Sequence, residues 1–492
     1  MIKIVSATTL GQPSQLLQSY DVIPCYKSKV TELRTKAEPL VKKLSGRTIW
    51  MISSTAQGGG VAEMLPSLLE MMRGLGFAVN WAVINSDSRE FFQLTKHLQN
   101  LILGDINLDC DLGPNDTCLY EAVNRKNAES LKPHLGLQDI LFIHDPQPLP
   151  LGTLLHKELG LQLFWQCHLG IEQENTATIA AWDFLQNFLK PYSLCAFTAL
   201  EYAPLYLKAR TRVVCPGLDP LSPKNRELSF HEIMQIFCGS GLQKMHYPGV
   251  VPNFKYQVSR LMPDGSLVVP KEFGLVFTPM ILQVSRWDRL KGWSYLVDAF
   301  AHFKAMLDSH SIEQYGPERV AYLQQVRLVM AGPDPSYIRD DVEGAEVFEE
   351  IRQQYLKLPI ELQQDIVVLL LPMASQYENA LIVNALQRTA LIVVQSSLRE
   401  GFGLTVTESM WKGRPVIGSS AFGIKLQIED KISGICIRNI TDKIEIARHF
   451  LDLLMNVNLR NDLGLKAHWR IFDKYLIFSQ VSQYLDLLEG AI

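Results

Sequence analysis

Apolar residues fall along this chain in two rhythms: short uninterrupted runs, and longer stretches where they recur every three or four positions. The first rhythm predicts strands and the second helices. Thr48-Ile49-Trp50-Met51-Ile52 reads as a strand, followed by the glycines Gly58, Gly59 and Gly60 and then by a helix. In that helix Val61, Leu65, Leu68, Leu69 and Met72 fall at offsets of 4, 7, 8 and 11, one apolar stripe at helical spacing. Further strands are predicted at Phe77 to Ile84, Asp139 to Ile143, Phe164 to Cys167 and Ala196 to Ala199. Each is largely apolar, as expected of a parallel sheet covered on both faces.

The alternation then restarts. Ile281 to Ser285, Val326 to Ala331, Ile366 to Leu370, Ala390 to Val394 and Arg414 to Gly418 read as a second set of strands. Helical patterns such as Trp293 to Leu307 and Tyr377 to Thr389 separate them. Two βα series imply an α/β protein of two doubly wound domains facing a cleft. The turn-forming segment Pro216 to Pro223 is the expected connection, and Val258 to Val269 is expected to form a hairpin about Pro263-Asp264-Gly265. The first 46 residues read only as a mixed, partly helical lead-in.

Composition narrows the function classes. At 492 residues the chain is long enough for at least two cores, and 47% hydrophobic with 20% charged residues is globular rather than disordered. A formal net charge of -4 argues against a nucleic-acid partner, though not against a local phosphate site. The start of the chain lacks the pattern of a secretory leader, and no stretch approaches the roughly 18 apolar residues of a spanning helix. Eight scattered cysteines without a CxxC pair favour reduced, mostly buried thiols. A cytoplasmic protein with no membrane association is the expectation.

Candidate chemistry concentrates between Gln395 and Met410. A strand ends near Val394, Gly401 and Gly403 allow close backbone approach, and a helix begins near Thr405, whose first amides can bind phosphate oxygens. Glu400 precedes the glycines and Glu408 lies inside the helix, so two carboxylates could accept hydrogen bonds from sugar and ribose hydroxyls. Each glutamate alone reads equally well as an exposed side chain near a helix start. Arg286 and Lys291 follow another strand end and together could neutralise a diphosphate. Gly58 to Gly60 lacks both the GxGxxG and the P-loop spacing, and is as readily a tight turn as an anion loop. His168, His144 and Asp145 stand at strand ends of the first series, where a structural role is the commoner reading. Asp109-Cys110-Asp111 is a three-residue DxD match in a loop and reads as chance, with no other metal constellation.

Glu400 and Glu408 with the Gly401-Phe402-Gly403-Leu404 loop between them resemble the donor-site motif of retaining GT-B glycosyltransferases of glycosyltransferase family four. Ser54 to Glu63, Ile143 to Pro148, Trp165 to His168, Asp219 to Ser222, Gln283 to Arg286 and Val383 to Arg388 extend the resemblance. Together with Arg399 to Val416 they make the chain most similar to the trehalose glycosyltransferring synthase and trehalose phosphorylase group. The resemblance implies an N-terminal acceptor-side domain at 1–218 joined by a helix crossing back at 467–492. It also implies a donor-binding domain at 219–466 with extra residues at 228–273. Phe472, Tyr475, Leu476, Val481, Tyr484 and Leu485 would supply the apolar contacts of the returning helix.

Roles follow residue by residue from the resemblance. Arg286 and Lys291 match the basic pair on the donor diphosphate, and Leu404 and Thr405 the positions whose amides bind the same phosphates. Glu408 matches the carboxylate on the ribose hydroxyls, Glu400 the one at the transferred sugar, and His168 the histidine beside it. Gly59 and Gly60 match the loop approaching donor and acceptor, while His144, Asp145, Gln166 and Gly170 are acceptor-side candidates. The implied reaction transfers a hexose, glucose by expectation, from a nucleoside diphosphate sugar to a sugar or small hydroxylated acceptor. Neither cofactor nor metal is expected. A phosphorylase using phosphate, or a silent sugar-binding regulator, would retain the same fold. The oligomeric state is open, a homodimer among the alternatives. Three positions depart from the subgroup's pattern: Gln166 stands for Arg, Gly170 for an acidic residue, and Phe422 for Gly. The first two lie near the acceptor and put glucose as acceptor, and trehalose as product, in question.

Overall fold

The computed structural model describes residues 2–5, 13–56, 59–244, 254–270, 274–307, 313–337 and 342–490. Its contacts divide the chain into two compact units, Met1–Asp219 with Tyr475–Ile492, and Pro220–Lys474.

The sheet of the first unit has the order β1-β3-β2-β4-β5-β6-β7. Its strands are β1 Lys3–Val5, β2 Ile49–Ser53, β3 Val79–Val83, β4 Ile140–His144, β5 Gln162–Cys167, β6 Leu194–Phe197 and β7 Thr211–Val213. All pair in parallel except β1, which runs antiparallel to β3. Strands β2 and β4 are buried at every position, which explains their uninterrupted apolar runs. The lead-in consists of helices Pro13–Asp21 and Pro24–Lys43, the latter burying Val30, Leu33, Ala37 and Leu40 on one face.

The second unit has the order β15-β14-β13-β10-β11-β12-β8-β9. Here β10 is Met280–Val284, β11 Arg327–Pro333, β12 Ile366–Leu371, β13 Ile392–Gln395, β14 Val416–Gly418 and β15 Ile435–Cys436, all parallel. The expected hairpin forms as β8 Ser259–Leu261 and β9 Leu267–Val268, antiparallel about Gly265. It extends the sheet by pairing β8 with β12. Within 228–273 it is preceded by the helix Phe230–Gly239, while residues 245–253 and 271–273 lie outside the described part.

The chain returns to its first unit at Tyr475 rather than at 467. Helix Val457–Lys474 is continuous, and His468 Nδ1 lies 2.5 Å from the Trp411 carbonyl oxygen. Arg470 Nε donates to the Gln427 carbonyl at 2.5 Å, so Ala467 to Phe472 belong to the second unit. The crossing is fixed by Leu218 N to Tyr475 O at 2.8 Å and Ile477 N to Leu218 O at 2.9 Å. Helix Ile477–Glu489 then buries Val481, Tyr484 and Leu485 in the first unit. The cysteines also differ from expectation. All eight are free thiols, but only Cys167 and Cys195 are buried, and Cys25 and Cys118 are exposed. No helix among the described residues is long and apolar enough to cross a membrane.

Candidate active site

In the second unit the predicted donor residues gather beyond the carboxyl ends of β10 and β13, neighbours in the sheet. After β10 the chain passes Arg286 and Asp288 into a short 3-10 turn, Arg289–Lys291, capped by the Asp288 carboxylate, which accepts from Leu290 N at 2.8 Å. The turn is pinned from beneath. Buried Gln283 donates from Nε2 to the Lys291 carbonyl at 3.0 Å and accepts from Ser396 Oγ at 2.8 Å. Leu398 N adds a bond to the Leu290 carbonyl at 2.7 Å. Lys291 is thereby held against the β13 loop, where its Nζ donates to Glu400 Oε2 at 2.5 Å. Both side chains are largely buried, 15% and 13% exposed, so the pair has shed most of its water. Arg286 stays half exposed, with Nη2 3.6 Å from Asp288 Oδ2.

Glu400 also accepts from Ser397 Oγ at 3.1 Å. Behind it, Gln395 joins Ser285, Ser397 and the Thr405 hydroxyl at 3.0, 2.9 and 2.9 Å, so the strand end and helix start are tied together. Gly403 precedes the helix Leu404–Trp411 with φ 87, where a side chain would be strained and its Cβ would lie 3.0 Å from Glu400 Cγ. Among the described residues no side chain caps this helix, so the amides of Leu404 and Thr405 have neither an intrahelical acceptor nor a cap there. Gln427 ties the loop down, its Nε2 donating to the carbonyls of Phe402 and, at 3.1 Å, Gly423. The close packing falls at Gly423, whose Cβ would meet Glu400 O at 2.5 Å, so Phe422 is accommodated one residue earlier.

Glu408 does not join the Lys291–Glu400 pair. It is 3% exposed and lies between Lys224 Nζ, 3.4 Å from Oε1, and Gln387 Nε2, which donates to Oε2 at 3.2 Å. One turn on, Lys412 Nζ reaches the Glu408 carbonyl at 3.2 Å and Asn225 Oδ1 at 3.3 Å, and burial pushes its pKa down to about 7.

The first unit carries the other set, at the ends of β4 and β5. Asp145 is one of two described non-glycine residues at positive φ, 61°. Three hydrogen bonds hold it there. Its N–H donates to Gln166 O at 2.7 Å, its carbonyl accepts Trp165 Nε1 at 2.9 Å, and its Oδ1 accepts His168 N at 2.8 Å. A left-handed non-glycine residue costs on the order of 1–3 kcal/mol and persists where its surroundings over-determine it, as at functional sites. The His144 and His168 rings stack at 5.7 Å with Nδ1 and Nε2 3.4 Å apart. Burial lowers the pKa of both, His144 the more because His168 adds to it, while Asp145 opposes the shift at His168; both imidazoles are neutral near pH 7. Burial raises the Asp145 carboxyl, partly offset by His168.

Gln166 and Gly170 are both enclosed rather than exposed at the surface. Gln166 is 1% exposed, and Tyr484 of the returning helix donates to its Oε1 while Nε2 has no partner among the described residues. A Cβ at Gly170 would overlap Cβ and Cγ of buried Tyr202, so the ring fills the place of a side chain. Gly170→Ala is therefore expected to destabilise the first unit by about 1–3 kcal/mol, read as a lower urea midpoint with unchanged slope. Gly59 stands extended before the helix Gly60–Gly74 with open space around its Cβ position, and Gly58 lies outside the described residues. Asp109 accepts from Asp111 N at 3.0 Å in an exposed local turn. Among the described residues no three His, Cys, Asp or Glu side chains group as a metal site would need.

Sequence reasoning missed the buried polar shell of Gln283, Gln395, Ser396 and Gln427, and the cation Lys224. A signal existed for the shell, since Gln395-Ser396-Ser397 is a polar run that continues a wholly buried strand.

Comparison with known proteins identifies the family. The family described as "Trehalose synthase, N-terminal domain" matches residues 51–204, and "Glycosyl transferases group 1" matches residues 276–469. A trehalose synthase of Thermococcus litoralis is 32% identical, with 98% of this chain and 99% of that one aligned. A trehalose phosphorylase of Grifola frondosa is 25% identical over 87% of this chain and 54% of its own length. Among solved structures, the UDP-forming α,α-trehalose-phosphate synthase of Burkholderia xenovorans, in complex with glucose-6-phosphate, superposes with a TM-score of 0.63 at 16% identity. It covers 90% of this chain and 100% of its own, and it shares the GT-B fold. With two mostly parallel sheets, the two matched domains and end-to-end similarity to a trehalose synthase, this chain belongs to the trehalose synthase family of group 1 glycosyltransferases.

Proposed function

We propose that the protein is a retaining, metal-independent hexosyltransferase that moves glucose from a nucleoside diphosphate sugar to a neutral sugar, forming trehalose or a related glucoside. The observation that carries this reading is the Lys291–Glu400 pair, 2.5 Å apart, beside the uncapped amides of Leu404 and Thr405. The cation, half-exposed Arg286 and the helix amides would neutralise a departing diphosphate, the work a divalent ion does elsewhere. Glu400 would face the transferred sugar and Glu408 the ribose. The acceptor hydroxyl would add to C1 on the face the phosphate leaves, its proton passing to the departing phosphate oxygen. Retention then needs no protein nucleophile.

The charge of the loops after β2, β3, β4, β5 and β6 supports a neutral acceptor. Residues 54–59, 84–88, 145–148, 168–175 and 198–204 contain Asp87, Asp145, Glu172, Glu174 and Glu201 but no Lys or Arg. A phosphorylated acceptor would meet carboxylates there, whereas a neutral polyol could donate hydrogen bonds to them. Activity with glucose but none with glucose 6-phosphate is expected in a coupled assay of nucleoside diphosphate release. Arg286→Ala should weaken nucleoside diphosphate binding about tenfold by calorimetry, the scale of one charge-assisted contact. Unchanged affinity would mean that the phosphates bind elsewhere.

A further inference from the structure

Residues 223–226 run beside the helix that carries Glu408, and their main chain is strapped down on both sides of Lys224. Asn384 Nδ2 donates to the carbonyls of Pro223 at 3.0 Å and Arg226 at 2.9 Å. Trp411 Nε1 donates to the Asn225 carbonyl at 3.1 Å, and Arg388 Nη2 to the Arg226 carbonyl at 3.1 Å. The strap presents Lys224 to the carboxylate, with Nζ 3.4 Å from Glu408 Oε1 and side-chain exposures of 19% and 4%. A carboxylate this deeply buried needs partners on its oxygens; Lys412 Nζ, one turn on, bonds the Glu408 main-chain carbonyl, so among the described residues Lys224 is the cation at the carboxylate itself. Gln387 Nε2 takes one site on Oε2 at 3.2 Å and Lys224 one on Oε1, leaving about two of some four acceptor positions open. A vicinal diol offers two donors for two open positions.

We infer that Lys224 is a positioning residue of the nucleoside site, holding the Glu408 carboxylate turned so that it accepts both ribose hydroxyls of a nucleoside diphosphate. The inference rests on the proposed assignment of Glu408 to the ribose. Without the ammonium, the Glu408 carboxylate would lose its partner at Oε1 and turn from this orientation, losing acceptor capacity toward the diol. The phosphate end, held by Arg286, Lys291 and the helix amides, would not change.

The test is calorimetry with the full-length protein and three ligands: pyrophosphate, the tightest binder among UDP, ADP and GDP, and its 2′-deoxy counterpart. Wild type is expected to favour the ribose form about tenfold or more, the scale of a lost hydrogen bond to a charged group. In Lys224→Met, and in Lys224→Gln as a second variant should the first fold poorly, that ratio should fall to about twofold while pyrophosphate affinity holds. Lys224→Arg, which keeps the charge, should recover most of the ratio. A ratio preserved in the neutral variants, or lost only in step with pyrophosphate affinity, overturns the role of Lys224. A wild-type ratio near one overturns the ribose assignment itself, and the inference with it.

Discussion

Glu400→Gln is expected to lower kcat about 100- to 1,000-fold while nucleoside diphosphate affinity stays within a few fold of wild type. The substitution keeps the shape and the contact with Ser397 Oγ at 3.1 Å, so the loop should not rearrange. It removes the charge opposite Lys291 Nζ at 2.5 Å, in a pair that has lost most of its water and where electrostatics are strong. A sugar acquiring positive charge at C1 would lose that carboxylate, whereas the phosphates would still find Arg286, Lys291 and the helix start. The split is read from kcat in steady-state kinetics against affinity by calorimetry. An equal loss in both would place Glu400 at the nucleotide rather than at the sugar.

Lys291→Met should do more damage to binding. It removes a diphosphate contact and also leaves Glu400 buried without its partner, a situation that costs about 3–5 kcal/mol. A loss of about 100-fold or more in nucleoside diphosphate affinity is expected, with kcat/KM falling further. Because the two residues touch, the double variant Lys291→Met/Glu400→Gln should be less impaired in binding than the product of the single effects. Additive losses would mean that the pair acts as two independent groups.

The fold was legible where burial is complete. Ile366 to Leu371 is buried at every position and could be read as a strand from its apolar run alone. By contrast, β1, β7 and β15 have two or three residues each and are partly exposed, so no run marks them. Helix Pro24–Lys43 is polar on most of its surface and contains an internal proline, which blurs its stripe. The donor residues were legible because glycines, carboxylates and cations sit at strand ends in one stretch of chain. Lys224 was not, because only the tertiary strap through Asn384 and Trp411 brings it to a glutamate 184 positions away. Gly170 is a similar case. Its lack of a side chain is explained by the ring of Tyr202, which sequence gives no reason to place against it.

Transfer with retention from a nucleotide sugar to a neutral sugar leaves its mark on the anomeric configuration of the product. The most direct measurement is proton NMR of the products formed from UDP-, ADP- or GDP-glucose and glucose, with a metal chelator present. The expected result is an α-linked disaccharide appearing in step with released nucleoside diphosphate. A β-linked product, dependence on added divalent metal, or glucose 1-phosphate formed from trehalose and phosphate without any use of nucleotide sugar would contradict it.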